Sequence, residues 1–128
     1  MKQLSKMKVV CLGLAITLLS GCASTSLMPQ ATRVMVSPNA PASGCTFVGE
    51  VTGSQGNMFT GKFTSNADME SGALNDLRNQ ATKMGGNYVQ LLTNRAGTTE
   101  ELEKGRGSSL QTNVTDTGVV YRCQGQNV

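Results

Sequence analysis

The cysteine thiols of this chain have the widest range of covalent chemistry among its side chains. Histidine, the other common catalytic and metal-binding side chain, is absent from its 128 residues. Thiols are acylated, form disulfides or bind metals. Without imidazole, the chain has neither a Ser-His-Asp nor a Cys-His catalytic set. The carboxylates are scattered, and nothing resembles a calcium-binding loop. We therefore expect no enzymatic activity, no metal and no cofactor. The four cysteines are Cys11, Cys22, Cys45 and Cys123.

Cys22 closes a segment with the layout of a bacterial export signal. Three lysines lie within its first eight residues, an uncharged run spans Val9 to Leu19, and small residues lead into the cysteine. This run of 11 residues is too short to cross a bilayer core, which needs about 20. The sequence Leu19-Ser20-Gly21-Cys22 closely resembles a lipoprotein lipobox. The resemblance implies cleavage before Cys22, diacylation of its sulfur and acylation of its new amino group.

The excess positive charge of the chain belongs to this signal. Eleven basic side chains against eight acidic ones give a formal net charge of +3. Because Lys2, Lys6 and Lys8 lie in residues 1–21, the remaining 107 residues are formally neutral. The charge is therefore no argument for binding to nucleic acid, and the sequence shows no site for a small-molecule substrate.

Cys45 and Cys123 are the thiols that remain after processing. Cys11 leaves with the signal, Cys22 carries the lipid, and disulfides persist in the compartments of exported proteins. A bridge between the remaining pair closes a loop of about 79 residues, which the chain-entropy model values at about 4.5 kcal/mol as an upper figure. The alternative is a free redox pair, but the spacing is not Cys-x-x-Cys. We predict a structural disulfide.

One helix must pack on the elements that carry these cysteines. Apolar residues at helical spacing predict an amphipathic helix over 69–84, and Gly85-Gly86 supplies its stop. Gly72 weakens the first turn, so the helix could instead begin near Ser71 as its cap. The residues of the apolar face are Leu74, Leu77, Ala81 and Met84.

Four extended segments flank the helix. Alternating or β-branched runs predict strands over 32–36, 45–51, 88–93 and 117–123. Residues 96–113 are polar and rich in glycine, which predicts a mobile surface loop. The expected fold is α+β: a small antiparallel sheet in the chain order β-β-α-β-β, with one amphipathic helix packed on it and one disulfide as a staple.

The predicted disulfide restricts the direction of its two strands. Cys45 begins its strand whereas Cys123 ends its own, so a parallel pair would separate the sulfur atoms by about 20 Å. The bridge therefore predicts antiparallel neighbours. Each cysteine also shares a face with the larger apolar residues of its strand, which predicts a disulfide on the core-facing side of the sheet.

Two further features allow alternatives. Met58 and Phe59, in a glycine-rich segment, either tuck under the helix or form a small exposed patch for a partner, and we favour the tucked arrangement. The polar face of the helix is either solvated, as most such faces are, or recognises a partner. This face consists of Asn75, Asp76, Arg78, Asn79 and Gln80.

The run from Ala73 to Asn87 contains a specific string, Asn-Asp-Leu-Arg-Asn-Gln, followed by Met-Gly-Gly-Asn. Residues 44–123 resemble a family of small envelope lipoproteins grouped as a domain of unknown function. The resemblance implies a Gram-negative envelope protein and brings no established activity with it. The other residues of the pattern are Cys45, Gly49, Gly53, Tyr121 and Cys123.

A more distant resemblance concerns the plan of the domain. The arrangement of cysteine, strand, helix and glycine is similar to the outer-membrane lipoprotein sensors of the Rcs envelope-stress pathway. Those domains have two disulfides, whereas this chain can make one. The residue directly after Cys22 is Ala23 rather than an aspartate. In this the chain resembles lipoproteins that are sorted to the outer membrane.

These features predict a signal peptide over 1–21, a lipidated flexible tether over 22–31 and a small α+β periplasmic domain over 32–128. Acyl chains on Cys22 would hold the domain on the periplasmic face of the outer membrane. We expect a non-enzymatic binding or scaffold module that serves another envelope protein. The alternative is an envelope-stress sensor that signals to a regulatory pathway.

Overall fold

Within residues 24–57, 59–103 and 106–125, which the computed structural model describes, one α-helix packs on a four-stranded sheet. The predicted signal peptide and the predicted lipidation site Cys22 lie outside these residues. The elements are β1 (Met35–Ser37), β2 (Cys45–Gly56), α1 (Asn66–Lys83), β3 (Tyr88–Glu103) and β4 (Arg106–Cys123). The α+β class and the β-β-α-β-β chain order are thereby confirmed.

The sheet is mixed, with the order β1-β3-β4-β2. Strand β4 pairs antiparallel with both β2 and β3, whereas β1 pairs parallel with the first three residues of β3. The prediction of an antiparallel sheet was wrong for β1, because a three-residue edge strand has too short a pattern to indicate its direction. The connection from β1 to β2 must cross three interstrand spacings, or about 14 Å.

The long β3–β4 hairpin is the largest departure from the prediction. The sequence predicts a surface loop over 96–113, but these residues continue both strands, with paired positions out to Glu103 and Arg106. The loop prediction was wrong because local composition understates pairing between strands. Glycine and charge dominate this stretch, while Thr98 and Thr99 supply the β-branched side chains that favour extension.

Helix α1 begins three residues earlier than predicted, at Asn66. The cap is Ser65, whose Oγ accepts a hydrogen bond from the backbone N–H of Asp68 at 3.1 Å. Ser71, the alternative start, therefore lies inside the helix. Gly72 is tolerated there because it is buried beside the side chain of Gln55, where a Cβ would have no room.

The helix ends at the predicted glycine pair. Gly85 has a φ of 83°, a conformation that glycine adopts without a steric penalty. The N–H of Gly86 donates to the carbonyl of Ala81 at 2.9 Å, which satisfies one of the last helical acceptors.

The core lies between α1 and the sheet. Leu77 and Ala81 are fully buried, Leu74 is partly buried, and Met84 is 37% exposed, so the predicted apolar face holds except at its end. The main buried cluster consists of Val34, Val51, Leu77, Ala81, Val89 and Val120. Towards the start of the helix, a second cluster consists of Met69, Ala73 and Val114.

Gly49 and Gly53 allow α1 to approach β2 closely. Positions four apart on a strand share a face, and this face lies under the helix. A Cβ at Gly53 would lie 2.5 Å from the backbone nitrogen of Leu77, so any side chain there would displace the helix. A Cβ at Gly49 would lie 2.5 Å from Cε of Met84, at the flexible end of that side chain.

Cys45 and Cys123 form the predicted disulfide, with their Cα atoms 4.0 Å apart. The two residues are direct partners in the β2–β4 register, which confirms the antiparallel arrangement. The predicted face was wrong. Val120 packs against α1, so Cys123, three positions further along the strand, points to the opposite face of the sheet. Alternation groups residues by face but does not indicate which face the helix covers.

Candidate functional site

Residues 24–34, called the strap below, run along the outer side of α1. Asn79 holds the middle of the strap: its Oδ1 accepts from the N–H of Met28 at 2.8 Å, and its Nδ2 donates to the carbonyl of Ser26 at 2.9 Å. Asn79 is only 8% exposed. A buried amide that makes two hydrogen bonds to backbone groups fixes the path of that backbone.

The start of the strap is fixed at the corner where β2 approaches α1. Thr25 donates from its N–H and its hydroxyl to Oε1 of Gln55, at 2.7 and 2.6 Å. The carbonyl of Thr25 accepts from Nδ2 of Asn75 at 2.9 Å. The chain therefore joins the fold at this corner, three residues after Cys22.

The end of the strap enters the core. A 3-10 helix spans Pro29–Arg33, with Ala31 fully buried. Arg78 then donates from Nε to the carbonyl of Val34 at 3.3 Å, and the Val34 side chain joins the main cluster. The strand predicted over 32–36 thus begins only at Met35. From residue 24 onwards, the segment expected to be a flexible tether is part of the folded domain.

The polar face of α1 serves the fold itself. Asn75, Arg78 and Asn79 bind the strap, as described above. Asp76 accepts from the N–H of Ser54 at 2.9 Å, and Gln80 donates to the carbonyl of Thr52 at 3.4 Å, so these two side chains bind the edge of β2. The specific Asn-Asp-Leu-Arg-Asn-Gln string is therefore explained by intramolecular contacts, with its leucine in the core.

An aromatic cluster lies beside the disulfide on the face away from α1. Tyr121 makes edge-to-face contacts with Phe47 and Tyr88, with ring centroids 6.3 and 6.4 Å apart. The hydroxyl of Tyr88 donates to the carbonyl of Asn39 at 2.7 Å, which ties the β1–β2 connection to this end of the sheet. A surface cleft of about 270 Å³ is lined by Thr46, Phe47, Val48, Arg122 and Gln124.

Asp116 is a fully buried carboxylate on the helix-facing side of β4. Asn94, its partner on β3, donates from Nδ2 to Oδ1 of Asp116 at 2.6 Å and to Oε2 of Glu70 on α1 at 3.0 Å. Oδ2 of Asp116 has no hydrogen-bond partner among the described residues. Burial raises the pKa of Asp116, the bond from Asn94 opposes the shift, and the Glu70 charge adds to it, leaving the pKa raised.

This group can hold a proton, and Asn94 beside it is exposed, but Asp116 lines neither of two clefts in the described part of the chain. The cleft described above and another of about 410 Å³, lined by Pro29, Gln30 and Arg33, lie elsewhere. In the described part of the chain, no three His, Cys, Asp or Glu residues are placed to bind a metal. The sequence did not lead us to predict Asp116 as a buried residue. The available signal was its even spacing from Val114 and Val120, which places all three on one face of the strand.

Phe59 and Phe63 are exposed in the connection between β2 and α1, at 75% and 73%. The favoured prediction of a tucked arrangement was wrong for Phe59, and Met58 lies outside the described residues. In this connection Gly61 is buried instead, because it packs directly on the backbone of Thr112 with no room for a Cβ.

No helix of the described residues is both long and apolar enough to span a membrane.

Replacing Asn79 by alanine should lower the free energy of unfolding by about 1–3 kcal/mol, because a partly buried N–H and carbonyl of the strap lose their buried partner. Gln80→Ala is the matched control, since it removes one exposed hydrogen bond and should change the value by less than about 0.5 kcal/mol. Urea unfolding measures both, and hydrogen exchange at residues 26–28 should accelerate in the first variant only. Equal effects would contradict the role of Asn79.

Asp116→Asn should weaken the pH dependence of stability. Because the folded pKa of Asp116 lies above its usual 3.8, the folded state binds the proton more tightly than the unfolded state. Burying the ionised group therefore costs stability above the folded pKa, and this cost disappears as the pH falls towards 3.8. The parent should gain stability relative to the variant over that range.

Urea unfolding across the acidic range measures this difference. Glu50→Gln, which removes an exposed carboxylate from β2, is the control and should follow the parent. A constant difference between parent and Asp116→Asn at every pH would contradict the prediction.

Comparison with known proteins confirms an uncharacterised domain family. The model "Domain of unknown function (DUF4156)" matches residues 25–123. The chain is 32% identical over 110 residues to the uncharacterized protein YjeI of Escherichia coli (strain K12), across 85% of this chain and 89% of the relative. The uncharacterized protein YjeI of Shigella flexneri matches with the same identity and coverage. The match begins at Thr25, where the strap is fixed to Gln55, and the chain belongs to the DUF4156 family.

Proposed function

We propose that this protein is a lipoprotein, held on the periplasmic face of the outer membrane by acyl chains on Cys22, that binds another envelope protein without catalysing a reaction. The observation that carries the location is the combination of an export-type start, ending in Leu19-Ser20-Gly21-Cys22, with a disulfide between Cys45 and Cys123. Disulfides are typical of oxidising compartments. Ala23 supports sorting to the outer membrane.

The strap supports direct attachment of the domain to the lipid. Thr25 lies three positions after Cys22, so their Cα atoms lie within about 10 Å of each other. Thr25 is held by Gln55 and Asn75. The domain would therefore stand directly on the bilayer surface.

The outer part of the hairpin, residues 98–103 and 106–111, supports a binding role and is called the arm. Strand β2 ends at Gly56, opposite Asn113, so the arm extends past it by about six residues, or about 20 Å. A two-stranded ribbon is marginally stable in water by itself. Along the described part of the arm, the outer edge of each strand has no neighbouring strand, and an added strand would pair with those backbone groups.

The anchor is tested by mass spectrometry of the protein purified from membranes. The processed chain should begin at Cys22 and carry the mass of three acyl chains and a glycerol unit. Cys22→Ala should abolish both the added mass and the cleavage, because the thiol that receives the lipid is gone. An intact, unmodified start on the parent protein would contradict the proposed location.

The binding role is tested by crosslinking in intact envelopes, followed by purification of the tagged protein. Leu110, 37% exposed on the arm, is replaced by lysine; Leu92→Lys is the matched control, since Leu92 is 57% exposed on β3 nearer the helix. The first variant should lose a reproducible crosslinked protein that the control retains. Capture that is unaffected by either change, or absent from the parent, would contradict binding through the arm.

Gene deletion separates this role from the envelope-stress sensor. Loss of a passive binding module should change membrane integrity, whereas loss of a sensor should alter a stress regulon instead. The described contacts give no separate support to the sensor.

A further inference from the structure

We propose that Phe59 and Phe63 insert into the interfacial region of the phospholipid bilayer beside the acylated Cys22. The inference rests on the proposed lipid anchor and goes beyond it, because it states which corner of the domain contacts the lipid.

The two phenylalanines are the most exposed large apolar side chains among the described residues. Their loop is nevertheless well bonded. Asn57 accepts from the N–H of Phe59 at 2.8 Å through its side chain, and its carbonyl accepts from the N–H of Gly61 at 2.8 Å. A 3-10 turn over Gly61–Phe63 follows, and Gly61 rests on Thr112. The fold thus presents the two rings to the outside on a backbone that is already ordered, which lowers the entropic cost of binding.

The same corner is where the chain leaves the domain towards the lipid. Gln55 binds Thr25, and four residues further along the chain stands Phe59. With at most about 3.5 Å per residue, the Cα atom of Phe59 lies within about 14 Å of that of Gln55, and Cys22 within about 10 Å of Thr25. Gly56 and Gly61 both lie against the backbone of Thr112, so the turn that carries Phe63 is folded back beside this corner. The acyl chains and the aromatic pair would therefore emerge from one end of the molecule.

This juxtaposition favours a bilayer over other occupants. An anchor at the same corner keeps the local concentration of lipid high, whereas a soluble partner would have to compete with it. Aromatic side chains of membrane-surface segments lie about 5–10 Å deep, at the boundary of headgroups and acyl chains. Phe47 provides an internal comparison, since it is 61% exposed but stands eight residues from Gln55 along β2, or about 26 Å away.

The test uses tryptophan fluorescence, for which the chain has no background because it contains no tryptophan. Phe59→Trp, Phe63→Trp and the control Phe47→Trp are each made in the full chain, processed in cells and purified. Mass spectrometry of each sample determines whether it carries the acyl groups. The proteins are then reconstituted into vesicles of phosphatidylethanolamine and phosphatidylglycerol, with or without phosphatidylcholine brominated near the top of its acyl chains.

Bromine should quench the tryptophan at positions 59 and 63 severalfold and leave that at position 47 unchanged. Equal quenching at positions 59 and 47, in samples that carry acyl chains, would overturn this inference and leave the proposed anchor intact. Emission at position 59 that shifts with protein density but ignores bromine would assign a second copy of this chain and also overturn it. Samples without acyl chains would overturn the anchor and this inference together.

Discussion

The close packing of α1 on β2 at Gly53 is the constraint on which the other contacts depend. Because the helix backbone rests almost directly on the strand, the side chains of Asp76 and Gln80 reach backbone groups of β2. The adjacent side of the helix, about 100° away, then binds the strap through Asn75 and Asn79. A glycine in one strand thus determines how a polar helix can bind backbone on two sides at once.

Local sequence patterns predicted those elements whose structure depends on residues close together in the chain. The spacing of Leu77 and Ala81 predicted the helix, and the two cysteines at opposite strand ends predicted their antiparallel pairing. The strap escaped prediction because a short polar segment without apolar period gains its order from distant side chains. The hairpin escaped because strand pairing compensates for glycine and charge in a way that composition does not show. Asp116 escaped because a lone carboxylate in an alternating strand is ordinarily solvated.

The contacts made by the polar residues bear on which parts of the protein could bind another molecule. The Asn-Asp-Leu-Arg-Asn-Gln string of the helix is occupied by contacts within the fold, and the buried carboxylate of Asp116 accepts from Asn94, which also binds Glu70. The exposed parts of the described chain to which we assign proposed contacts are the arm, with another protein, and the loop with Phe59 and Phe63, with the bilayer. Both are built from residues that the core does not require, as is usual for surfaces that carry function on a small scaffold.

The fixed start of the strap limits how far the domain could extend from an attachment point at Cys22. A domain of about 100 residues has a radius of gyration of about 13 Å, and with an acylated Cys22 the two-residue spacer to Thr25 would add little to this. A domain anchored in this way could not search a wide volume. It would diffuse laterally within a thin layer next to the lipid, so any protein that meets it must itself come to that layer.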